Sequence, residues 1–62
     1  MNAITIPQLS PALVAVLNDC LATIRPGDLR EYERVKVRLF DASETSEEYT
    51  LAVRAYVLAA GI

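Results

Sequence analysis

The chain has 62 residues, of which 53% are hydrophobic and 23% charged, with a net charge of −2, no histidine and one cysteine. Disorder is excluded, since it needs low hydrophobicity and high net charge. So are an intrachain disulfide, the usual zinc ligand sets, any Ser-His or Cys-His catalytic pair, and the basic surplus of a general nucleic-acid binder.

In chain order, residues 1–9 read as an extended N-terminal arm. Ile4 and Ile6 alternate around Thr5 before Pro7. This is a three-residue β pattern, and laying the two isoleucines on a helical core explains it better than strand pairing with another chain.

A first helix is expected over 11–25. Ser10 is placed to cap it, and Pro11 sits where a missing N–H costs nothing. Leu13, Val14, Val16, Leu17, Cys20, Leu21 and Ile24 then recur at helical spacing on one wide face. Pro26-Gly27 ends it, because the residue before a proline avoids helical geometry.

A second helix is expected over 28–41, opened by the capping-box pattern Asp28-Leu29-Arg30-Glu31. Leu29, Tyr32, Val35 and Leu39 share a face with Phe40 at its border. Val35-Lys36-Val37-Arg38-Leu39 also alternates like a strand. The cap, the length and the pairs Arg30–Glu33 and Glu31–Arg34 at i,i+3 favour the helix. Leu17, Leu21 and Phe40 are expected in the core.

A third helix is expected over 46–60. Thr45-Ser46-Glu47-Glu48 forms another capping box, with acids where the helix dipole favours them, and Gly61 stands in the C-cap position. From Tyr49 to Ile62 only Thr50 and Arg54 are clearly polar. A helix apolar nearly all round has to be buried nearly all round.

The expected fold is therefore all-α, one domain over 1–62: a helical hairpin plus a third apolar helix. Domains below ~70–80 residues rarely draw more than ~3–5 kcal/mol from a lone core. With disulfide and metal absent, assembly is the device left, and a dimer is expected. Its interface is read as Tyr49, Ala52, Val53, Tyr56, Val57 and Ala60, a face that mixes small residues with tyrosines able to keep a hydroxyl at a polar rim. A compact monomer that buries most of this helix by itself is the competing reading.

No residue set suggests catalysis. Glu44, Glu47 and Glu48 cluster at a helix start, where capping explains them, and Cys20 reads as a small buried hydrophobe. No enzyme, cofactor or metal is expected. Five of the six basic residues fall within 25–38, with a surplus of two positive charges there. Arg30, Arg34 and Arg38 form an i, i+4, i+8 stripe, read as a solvated face or as a site for an anion or an acidic partner.

The expected function is a non-enzymatic protein-protein interaction module, a small helical regulator, inhibitor or adaptor that binds itself and an unidentified protein. The alternative is a small dimeric DNA-binding regulator using the basic stripe. Against it, an Ile4-Thr5-Ile6 ribbon has no basic or amide side chain to read bases, and a reading helix three would present only Thr50 and Arg54. A minor structural subunit of a larger assembly is a third reading. No run of 18 apolar residues appears, so no membrane span is expected. With no secretory-leader pattern and one free thiol, the expected location is cytoplasmic.

Overall fold

The computed structural model describes residues 9–62. Among these it has three α-helices and no strand: α1 (Pro11–Ala22), α2 (Leu29–Ala42) and α3 (Ser46–Ala60). The Ile4–Ile6 arm lies outside the described residues. Leu9, assigned to the arm, is a core residue at 7% exposure.

All three helix starts use the expected caps. The side chains of Ser10, Asp28 and Thr45 accept the backbone N–H groups of Leu13, Glu31 and Glu48 at 3.4, 3.0 and 3.1 Å. Each bond satisfies one of the donors a helix start leaves unpaired. α3 ends as expected: Gly61 is left-handed at φ 68°, and its N–H bonds the Val57 carbonyl at 3.1 Å.

α1 stops three residues earlier than expected. Thr23 leaves helical geometry at φ −116°, ψ 25°. The N–H groups of Thr23 and Ile24 bond the carbonyls of Cys20 and Leu21 at 3.3 and 3.4 Å, a tightened last turn. Pro26 has no N–H to continue the ladder and pushes Arg25 out of the helical region. The freed segment makes a turn in which Asp28 N–H bonds the Arg25 carbonyl at 3.1 Å. Gly27, at φ 75°, donates its N–H to the Ala60 carbonyl at 2.8 Å. That bond pins the α1–α2 connection to the end of α3.

α2 and α3 run antiparallel, since Tyr32 meets Tyr56 while Phe40, further along α2, meets Tyr49, nearer the start of α3. Each helix packs on the other two. The core is Leu9, Leu13, Leu17, Cys20, Val35, Leu39, Ala52, Tyr56 and Ala60. Leu17 is fully buried, and Leu21 packs half-buried against this cluster. Phe40 is not core: it is 66% exposed, and Leu29, expected on the same inward face, is 62% exposed. The reason is angular. Val35 and Leu39 point inward, which turns Leu29, Val37 and Phe40 onto an outer face about 100–160° away. A strand would have kept Val35, Val37 and Leu39 on one side, so the 62% exposure of Val37 is the signature of the helix.

Among the described residues, Glu48 is the buried charged one. Its two carboxylate oxygens accept the N–H groups of Ser10 and Glu44 at 3.0 and 3.3 Å. The start of α1 is thereby tied to the start of α3. The Ser10 N–H is the main cause of a Glu48 carboxyl held below its ordinary range, supported by the Glu44 and Thr45 backbone and opposed by burial. No helix among the described residues is long and apolar enough to cross a membrane.

Candidate interaction surfaces

The six α3 residues read as an interface divide into two groups. Ala52, Tyr56 and Ala60 are at 0% exposure inside the chain's own core and have no surface to offer a partner. Tyr49, Val53 and Val57 are half-buried and face outward in part. The physical reason is that a three-helix bundle already seals the inner stripe of α3 with α1 and α2. Of the six, only Tyr49, Val53 and Val57 stay accessible, while Thr50, Arg54, Leu58 and Ala59 make the exposed outer face of α3.

The flank at Tyr49 continues onto α2. Phe40 packs edge-on against Tyr49, with ring centroids 5.5 Å apart and planes at 88°, the arrangement aromatic quadrupoles favour. Beside the pair a groove of about 280 Å³ is lined by Glu33, Lys36, Val37, Phe40 and Tyr49. Glu33 and Lys36 pair with each other at 3.4 Å across one edge, and the Lys36 ammonium sits 4.6 Å from the Tyr32 ring centre. Leu29, Val37 and Phe40 were absent from the expected interface. The i, i+8, i+11 spacing of these apolar residues was the available signal. It was obscured because the same three residues can also be counted toward a wider core face.

The arginine stripe is also divided. Arg38 is engaged by Asp19 of α1 at 2.8 Å. Arg34 stands 3.7 Å from Glu31. Arg30 forms no ion pair among the described residues, and neither does Arg25, which comes from the turn. Arg25, Arg30 and Arg34 line a cleft with Asp28 and Glu31. Three arginines therefore converge, but with Arg25 in place of Arg38.

Cys20 is 2% exposed, and burial pushes its thiol up, partly offset by Arg38. A thiol in that setting holds little thiolate, which is the reactive form.

No known family model, curated protein or solved structure matches the chain.

Proposed function

We propose that the chain is a non-enzymatic helical interaction module, a regulator, inhibitor or adaptor of the cytoplasm that acts by binding protein, and that a second copy of itself occupies its α2–α3 face. The observation that carries this is the outward apolar strip. Val37 and Phe40 are 62% and 66% exposed, and they adjoin half-buried Tyr49 on the neighbouring helix. Exposed apolar residues that form one patch mark an interaction site, whereas scattered ones do not.

Two features favour a second copy as the occupant. The rim carries Glu33 and Lys36 side by side, so a twofold axis through the groove sets each Glu33 against the other copy's Lys36. The rim is thus self-complementary, as an isologous interface requires. The core is also small, with two alanines and a cysteine among its nine residues, which leaves a chain of this size in need of further burial. The DNA-binding alternative is weakened by Arg38, whose charge is already engaged by Asp19.

Light scattering behind a sizing column tests the reading. Wild type is expected at twice the chain mass across a concentration series. Phe40→Glu is expected at the single-chain mass with unchanged helical circular dichroism. Arg54→Glu, on the exposed outer surface, is expected to keep the dimer. A wild type that stays monomeric at every concentration overturns the dimer.

A further inference from the structure

We propose that the cleft between the α1–α2 turn and the first turns of α2 binds a phosphate-type oxyanion through Arg25, Arg30 and Arg34. This site is independent of the α2–α3 groove. Arg30 and Phe40 are ten residues apart on α2, about 15 Å along its axis.

The cleft holds about 350 Å³ and is lined by Arg25, Asp28, Arg30, Glu31 and Arg34. That is the lower end of the size range of small-molecule sites, ~300–1,000 Å³. Asp28 accepts the Glu31 N–H at 3.0 Å and Glu31 stands 3.7 Å from Arg34, so the three arginines of the cleft outweigh its two carboxylates by one charge. Arg25 and Arg30 have no ion-pair partner among the described residues, and Arg34 has only the 3.7 Å contact with its side chain 72% exposed. Like charges four apart on a helix repel, and planar guanidinium forks match phosphate oxygens two at a time.

The turn that carries Arg25 is held in place by the Gly27 N–H on the Ala60 carbonyl at 2.8 Å.

The test is a titration of amide chemical shifts with inorganic phosphate at low ionic strength, against sodium chloride at matched ionic strength. Saturable shifts are expected over residues 25–34, specific to phosphate. Arg30→Gln and Arg34→Gln should each weaken binding about tenfold, as loss of a charge-assisted bond implies, while Arg54→Gln leaves it unchanged. Tighter binding of O-phosphoserine than of inorganic phosphate would identify a phosphate ester as the natural source, and equal binding would identify the free ion. Shifts that never saturate, that chloride reproduces, or that survive Arg30→Gln overturn the site. Arg30→Gln should keep the dimer mass and Phe40→Glu should keep phosphate binding, so failure of either proposal is seen separately.

Discussion

At the residue scale, Glu48 and Tyr56 show how the same burial has opposite consequences for two polar groups. The Glu48 carboxylate has backbone donors on both oxygens, so its charged form is favoured and its folded pKa lies below the ordinary value. A depressed carboxylate stabilises the fold at pH above its unfolded value, about 4.3 for glutamate. That contribution is lost as pH falls through the folded value. Glu48→Gln is therefore expected to melt lower than wild type at neutral pH and to lose less on acidification. Thermal melts from neutral to strongly acidic pH read both, and parallel curves would refute the role. Tyr56 has a buried hydroxyl with no partner, so Tyr56→Phe removes an unsatisfied group and is expected to be neutral or stabilising in urea unfolding. Cys20, buried with its thiol pushed up, should react with a thiol reagent only as fast as the chain opens.

Helix boundaries test the local rules one at a time. Thr45→Ala removes the α3 cap, which accepts the Glu48 N–H at 3.1 Å. It should cost about 1 kcal/mol in urea unfolding, the common value for a lost cap. Gly27→Ala isolates a backbone effect. A Cβ there meets nothing within 4 Å, but φ is +75°. The loss should be about 1–2 kcal/mol, the cost of a left-handed L-residue, and a neutral result would show that the turn relaxes. Where the helices depart from sequence-based expectation, the cause lies in how a helix ends and how it faces. The early end of α1 at Ala22 combines Pro26, acting backward on Arg25, with β-branched Thr23 and Ile24. Phe40 leaves the core because Val35 and Leu39 take the inward positions.

The whole molecule has little reserve. Leu39 is fully buried at the centre of the bundle, and replacing such a leucine by alanine costs ~2–5 kcal/mol. That rivals the ~3–5 kcal/mol a core of this size supplies. Leu39→Ala should therefore be largely unfolded at room temperature by circular dichroism, and a cooperative melt near that of wild type would show stability drawn from elsewhere, assembly first among the sources. Packing also changes what α3 variants report. Val53→Glu lies on the half-buried flank and tests assembly. Tyr56→Glu puts a charge into the bundle core, where Tyr56 has no exposure, and should unfold the chain rather than separate copies.

Three helices, their caps and the Gly61 stop were legible in the sequence, because they depend on contacts within a few residues: Ser10 with Leu13, Asp28 with Glu31, Thr45 with Glu48. The apolar excess of α3 was legible too, but not its use. A helical wheel shows that Ala52, Tyr56 and Ala60 share a stripe; only the bundle shows that α1 and α2 cover it and leave Tyr49, Val53 and Val57 at the edge. The arginine spacing was plain, yet Asp19, on another helix, engages Arg38, and the turn at Gly27 delivers Arg25 to the cleft in its place. Local hydrogen bonding is written in neighbouring residues, whereas burial and charge pairing are decided by which distant residues the fold brings together.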